Sequence, residues 1–300
     1  MSERFLAVLN PVAGGGRCGK LVGAALARLR AGGLEIEVAE TTGRGHALEL
    51  ARDAYARGWR NFIAVGGDGT SHEIVNGLFP QALGGEKPTL GFLPLGTGNS
   101  FLRDFSDQGL EYAVEALITG KRREVDVLRL AHSGRTLYYI NLLSVGFAAN
   151  VAATRHRRFS GLGELGYLLA LFVCLARLER RPFPLRVDGA GEWDRRPCLF
   201  LTFNNSKFTG GRMMIAPRSD VADGLIEYVR WGPIGRLGLL RNLHTLYDGT
   251  HLLHPLAERT AARSVEFALD APVDIMIDGE VLSARCERID VLPRALTVAA

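Results

Sequence analysis

Residues 62–70 read Phe62-Ile63-Ala64-Val65-Gly66-Gly67-Asp68-Gly69-Thr70. Four apolar residues run straight into three glycines, an acid and a hydroxyl. A short apolar run closed by glycine reads as a buried strand, and the residues after the loop continue as a short helix to Leu78. The same strand, turn and helix order lies on either side. Phe5-Leu6-Ala7-Val8-Leu9 ends at Asn10-Pro11 and Gly14-Gly15-Gly16, before an amphipathic stretch over 20–30. Residues 34–39 read as a strand, and 45–57 as a helix with Leu48, Ala51 and Tyr55 on one face. Residues 89–93 form a strand closing on Pro94-Leu95-Gly96-Thr97-Gly98-Asn99. Strands that each run into a glycine turn and a helix pair in parallel, and their carboxyl-edge loops form a ligand crevice. Nineteen of the 36 glycines fall in the first 100 residues, where these loops are.

Beyond residue 124 the texture changes. Short β-branched or alternating runs over 125–130, 136–143, 185–187, 198–203, 225–229, 264–268 and 273–277 are separated by turn residues, which predicts antiparallel strands. A helix over 163–178 interrupts them, and another spans 236–247. The expected fold class is therefore α/β plus all-β. An N-terminal α/β domain with a parallel sheet covers 1–124. A mainly antiparallel β domain covers 125–288, and 289–300 is a tail open to return to the first domain.

Composition excludes several classes. Of 300 residues, 47% are apolar and 23% charged, enough for a core and too apolar for a disordered chain. The longest uncharged apolar run, 165–176, is short of the roughly 20 residues that cross a bilayer. It reads as a core or cleft-lining helix, with a second reading as a lipid-collecting element beside Arg155-His156-Arg157-Arg158. The start MSERFLAVLN does not read as a signal peptide, so a cytoplasmic protein, peripheral at a membrane at most, is expected. Cys18, Cys174, Cys198 and Cys286 fit neither zinc nor redox spacing and read as buried thiols. Net charge is +4, and 32 of the 36 basic residues are arginine, a planar fork suited to phosphate. No stacking aromatics interleave with them, so nucleic acid is not expected as a partner.

The loops carry the chemistry. Gly14-Gly15-Gly16-Arg17-Cys18-Gly19-Lys20 imitates half a P-loop, but Leu21 stands where a magnesium-binding hydroxyl is needed. What survives is a glycine turn whose amides can hold phosphate. In the second loop the glycines allow close approach to phosphate, and Asp68 can hold a metal, a ribose or a substrate hydroxyl. With the third loop, three turns on neighbouring strand ends would converge on one nucleotide.

Asn10-Pro11 with Gly14, then Gly66-Gly67-Asp68-Gly69-Thr70, then Pro94-Leu95-Gly96-Thr97-Gly98-Asn99 resemble the diacylglycerol kinase catalytic domain. Phe208-Thr209-Gly210-Gly211, Ala216-Pro217, Asp220, Asp223-Gly224-Leu225 and Asp278-Gly279-Glu280 follow in the order of the soluble bacterial lipid kinases, relatives of sphingosine and ceramide kinases. The resemblance implies a kinase using ATP and Mg2+ on a lipid hydroxyl, with the nucleotide in a cleft between an α/β nucleotide-binding domain (1–124) and an antiparallel β-sandwich domain (125–288). It assigns Asn10, Gly14, Thr41 (before Gly45-His46-Ala47), Gly66, Gly67, Asp68, Gly69, Thr70, Gly96, Thr97 and Arg103 to the nucleotide. Asp220, Asp223 and the main-chain oxygen of Leu225 are assigned to a structural magnesium. Asp278 and Glu280 match the catalytic acid-glycine-acid, with Asp68 a rival base. The resemblance also implies a lipid acceptor at, or extracted from, the membrane surface, and a homodimer is common among such relatives.

One position departs from the pattern. Relatives commonly carry Asn-Asp after the third loop, whereas here the pair is Asn99-Ser100, with Asp104 or Asp126 as substitutes for the missing carboxylate. Two rival readings stand beside this one: Ser100 supports a nucleotide-binding regulator or lipid carrier that has lost phosphotransfer, and the Gly66-Gly67-Asp68-Gly69 loop is also found in NAD kinase and phosphofructokinase relatives. His244, His251 and His254 have spacings that do not make a zinc site, and no Gly-x-Ser-x-Gly elbow supports a hydrolase triad.

Overall fold

The computed structural model describes residues 3–159 and 162–300, and the chain divides into two compact units. The first comprises 1–127, 221–223 and 292–300; the second comprises 128–220 and 224–291. In chain order the first unit contains β1 (Arg4–Leu9), α1 (Arg17–Ala31), β2 (Glu35–Glu40), α2 (His46–Ala56), β3 (Asn61–Gly66), α3 (Asp68–Leu78), β4 (Thr89–Pro94) and α4 (Leu110–Ile118). Its strands lie in the order β2-β1-β3-β4, all parallel. Alternation sorts their side chains to two faces. Phe5, Ala7, Leu9, Ile63, Val65 and Leu93 pack with α1 and α4, burying Val22, Leu26, Leu29 and Leu117. Helices α2 and α3 pack together, α2 against β1 and α3 against β3.

β5 (Arg123–His132) leads into the second unit, followed by β6 (Arg135–Tyr139), β7 (Leu142–Gly146), α5 (Phe147–Arg158), α6 (Gly163–Ala176), β8 (Leu185–Val187), β9 (Phe200–Asn204), β10 (Phe208–Thr209), β11 (Met213–Met214), β12 (Ile226–Trp231), α7 (Arg236–Asn242), α8 (Thr245–Asp248), β13 (Ala257–Ala262), β14 (Ser264–Phe267), β15 (Val273–Ile277), β16 (Glu280–Ala284) and β17 (Cys286–Val298). An antiparallel sheet in the order β13-β12-β9-β7-β15-β16 packs one face against β5, β6, β8, β14 and the start of β17. Between them lie Leu130, Tyr139, Phe203, Tyr228, Phe267 and Ile277. The end of β17 belongs to the first unit, where Thr297 and Val298 pair in parallel with β4.

The expected two-domain class holds, with differences in detail. The run over 136–143 is two strands, broken at Ile140-Asn141, where main-chain N–H groups turn to a carboxylate described below. The helix expected over 236–247 divides into α7 and α8. α5 was not foreseen, because its polar end 154–158 hides the apolar face of Phe147 and Val151. α5 to α8 form a layer on the outer face of the six-stranded sheet, over Phe200 and Trp231. The apolar segment 165–176 is only partly core: Leu165, Leu168 and Phe172 are exposed. Among the described residues no helix is long and apolar enough to cross a membrane.

The four cysteines are free and buried, as expected. Burial pushes the Cys18 thiol up to about 11 and those of Cys198 and Cys286 up to about 12, so these three are protonated and inert at neutral pH.

Candidate active site

Four carboxyl-edge loops of the parallel sheet meet in the first unit. Gly14 follows β1 at φ 62, and a Cβ on it would lie 2.8 Å from the Leu95 carbonyl oxygen. That left-handed, crowded position is open only to glycine. Gly96 follows β4, and a Cβ there would lie 2.5 Å from the Gly67 Cα. The Gly96 N–H donates to the Gly66 carbonyl at 2.8 Å, so the second and third loops are held in main-chain contact. Asn10 donates its side-chain N–H to Thr70 Oγ1 at 3.4 Å, tying the first loop to the second. Asn99 ties its own loop down with donations to the carbonyls of Gly96 (2.8 Å) and Pro94 (3.2 Å).

Asp68 and Gly69 open α3, so the second loop ends on a helix N-terminus, whose unpaired amides and dipole favour an anion. Both Asp68 carboxylate oxygens accept the main-chain N–H of Ser100, at 2.8 and 3.0 Å. Ser100 itself is fully buried. A small crevice beneath the loops is lined by Gly66, Gly67, Asp68, Phe92, Asn99 and Phe101. Thr97 stands exposed at the loop tip, and Arg103 is half-buried in the turn that follows. Of the two substitutes for a carboxylate at position 100, Asp126 is committed elsewhere. It is fully buried, accepts the Arg294 N–H at 2.6 Å, and donates its own N–H to the Val221 carbonyl at 2.6 Å.

Thr41, after β2, is buried with its N–H on the Leu9 carbonyl at 2.8 Å. The turn beyond it is held by a residue that sequence reasoning missed. Glu73 of α3 accepts the N–H groups of Gly45 (2.8 Å) and Ala47 (3.1 Å), filling the N-terminus of α2. The pairing spans 28 residues and leaves no local signal.

In the second unit, Asp278 and Gly279 are the two central residues of the β15–β16 hairpin, at φ 47 and 88. This is the Asp-Gly pattern of a type I′ turn. Asp278 is 3% exposed, and its carboxylate accepts the N–H groups of Ile140 (3.1 Å), Asn141 (3.0 Å) and Leu142 (3.1 Å). The bend that presents those donors is pinned in turn. Asn205 donates to the Ile140 carbonyl at 2.8 Å, and Ser206 Oγ bonds the Asn141 side chain. Asn141, Asn205 and Ser206 are the other residues not foreseen. Glu280, next along, is half-buried at the first position of β16.

Asp220 and Asp223 are exposed on one turn, which reverses at Gly224 with φ 74, and Leu225 is half-buried. Two carboxylates and carbonyl oxygens suit a hard cation. Among the described residues no three His, Cys, Asp or Glu side chains gather as a metal cluster. The histidines are structural where buried: His251 places its ring nitrogens 3.0 Å from the Ile215 carbonyl and 3.3 Å from that of Thr245.

Residues 4–130 match the diacylglycerol kinase catalytic domain, and residues 141–300 match the YegS C-terminal NAD kinase beta sandwich-like domain. Relatives include a diacylglycerol kinase of Mycobacterium tuberculosis, 29% identical over 98% of this chain and 94% of its own length. The lipid kinase YegS of Escherichia coli K12 is 29% identical over 91% of this chain and 88% of its own. A crystal structure of a diacylglycerol kinase from Bacillus anthracis shares the fold, with a TM-score of 0.72 and 20% identity over 99% of this chain and 96% of that one. Two domain matches in tandem span nearly the whole chain, and it belongs to the diacylglycerol kinase and YegS-type lipid kinase family.

Proposed function

We propose that this protein is an ATP-dependent lipid kinase that passes the γ-phosphoryl group to the hydroxyl of a diacylglycerol-like or sphingoid lipid. The observation that carries the reading is the convergence of the Gly14, Gly66–Thr70 and Gly96–Thr97 loops at one sheet edge, in a chain of this family. Phosphoryl transfer asks a protein mainly for position and for donors aimed at developing charge. The loop amides and the first turn of α3 supply such donors, with Asn10, Thr41, Thr97 and Arg103 completing the nucleotide contacts.

The acid pair divides its labour. A base needs a lone pair open to the incoming proton, and the Asp278 carboxylate already accepts three main-chain N–H groups. We assign Asp278 to positioning the hairpin and Glu280 to taking the hydroxyl proton as the lipid oxygen attacks phosphorus and ADP leaves. Asp68, held on the Ser100 N–H, is assigned to the nucleotide side rather than to proton transfer. Magnesium, when bound, neutralises phosphate charge or braces the fold; Asp220, Asp223 and the Leu225 carbonyl would hold a bracing ion. The reading places the activity on the cytoplasmic side, at a membrane surface.

The test is transfer of labelled phosphate from ATP into extracted lipid, across diacylglycerol, sphingoid base, ceramide and phosphatidylglycerol. Label in one class names the acceptor. Bound ATP with label in none would favour the nucleotide-binding regulator.

A further inference from the structure

From residue 165 to its end, α6 carries no charged side chain. Ala170, Cys174 and Leu175 enter the core of the helical layer, while Leu165, Leu168, Leu169 and Phe172 face outward, Leu165 57% and Phe172 59% exposed. α7 is tied to the end of α6 by Arg236, which donates to the carbonyls of Leu175 and Ala176 at 2.9 Å each. It adds exposed Leu237 and Leu240 to the same layer. Scattered exposed leucines are ordinary, but a row of them on one helix marks a contact surface.

The charge around the row says what kind of contact. Residues 165–176 carry none, whereas 155–181 as a whole hold six arginines against two glutamates. α5 packs on α6 and ends in Arg155, His156, Arg157 and Arg158, all exposed. Arg157 is paired with Asp274 at 2.6 Å; Arg155 and Arg158 make no ion pair among the described residues. Burial pushes the Tyr167 hydroxyl of α6 up, and Arg155 lies close enough for its charge to oppose that rise. Apolar side chains bordered by arginine match the layering of an anionic bilayer, with acyl chains below and phosphate at the rim. A two-fold contact between copies would instead bring the same arginine rim towards itself.

We propose that the α6–α7 face docks on an anionic lipid bilayer, Leu165, Leu168, Leu169 and Phe172 entering the acyl boundary and Arg155 and Arg158 meeting the headgroups. The inference deepens the lipid-kinase reading, since this is the surface from which a lipid acceptor would come, but the docking is measurable without ATP.

The experiment is flotation of the full chain with vesicles of phosphatidylcholine, with and without phosphatidylglycerol. Leu168→Ser/Phe172→Ser and Arg155→Glu/Arg158→Glu double variants are run beside wild type, with thermal melts to confirm folding. The wild type is expected to float with the anionic vesicles, and each variant to partition at least about tenfold more weakly. Transfer to a short-chain, monomeric acceptor should be unchanged in the Leu168→Ser/Phe172→Ser variant. Equal flotation of folded wild type and variants overturns the proposal. So does a wild-type dimer that ignores vesicles and becomes monomeric in the Leu168→Ser/Phe172→Ser variant, which would make the face a contact between copies. Vesicle binding without phosphate transfer would retain the docking and reject the kinase reading.

Discussion

Replacing Asp278 by asparagine should unfold the second unit more readily, before it says anything about chemistry. The carboxylate is 3% exposed and accepts three main-chain N–H groups at 3.0–3.1 Å. Hydrogen bonds to an ionised acceptor contribute about 1.5–3 kcal/mol each, against about 0.5–1.5 kcal/mol for a neutral one. In Asp278→Asn the amide oxygen can keep the Asn141 and Leu142 bonds at neutral strength, a loss of about 1 kcal/mol each. The amide NH2 then faces the Ile140 N–H, and that lost bond with its stranded buried donor costs about 2 kcal/mol more. Asparagine tolerates the left-handed backbone at φ 47, so no backbone cost is added. The sum, about 4 kcal/mol, is a large share of the roughly 5–15 kcal/mol that holds a domain together. Glu280→Gln, at a half-buried strand end, should cost no more than about 0.5 kcal/mol. Urea unfolding followed through Trp231, buried in the second unit, reads both variants. An Asp278→Asn protein within about 1 kcal/mol of wild type would refute the assignment of Asp278 as an anchor.

Other outcomes follow from single contacts. Gly96→Ala puts a Cβ 2.5 Å from the Gly67 Cα and should push two main-chain loops apart; the melting temperature should fall and calorimetry should show weaker ATP binding, and unchanged affinity would contradict the convergence. Ser100→Asp places a second carboxylate beside Asp68 in a buried position. Its melting temperature should fall without metal and recover with magnesium more than wild type does; no magnesium dependence would argue against a cation at Asp68. Burial holds the His251 pKa below the ordinary histidine value, so the unfolded chain takes up the proton first as pH falls. Melting temperature should therefore decline as pH drops below about 6.5, and a His251→Gln protein should show a flatter profile; identical profiles would remove His251 from the account. Magnesium should raise the melting temperature of wild type but not of Asp220→Asn/Asp223→Asn, if that turn holds the cation.

The first unit was legible because its signals are local. Each strand runs without a gap into its glycine loop, so Gly14, Gly66 and Gly96 could be placed at one sheet edge from order alone. The second unit was less so. Whether residues 136–143 make one strand or two depends on Asp278, more than a hundred residues away, drawing the Ile140 and Asn141 amides out of the ladder. The role of Glu73 at the start of α2 is equally non-local. Segment 165–176 misled for another reason: uniform apolarity marks burial, but not whether the burying partner is the core or something outside the chain. Within Asp278-Gly279-Glu280 the sequence shows two acids, and only the structure distinguishes the buried Asp278, which accepts three main-chain N–H groups, from the half-buried Glu280.

The most direct test is single-turnover transfer of labelled phosphate from ATP to the accepted lipid, comparing wild type with Glu280→Gln at matched ATP occupancy. The account predicts label in lipid from wild type, and a rate lower by about a hundredfold to ten-thousandfold in the variant, with its fold and ATP affinity intact. Transfer at the wild-type rate by the variant would contradict Glu280 as the base. No transfer by ATP-loaded wild type to any lipid would contradict the kinase itself.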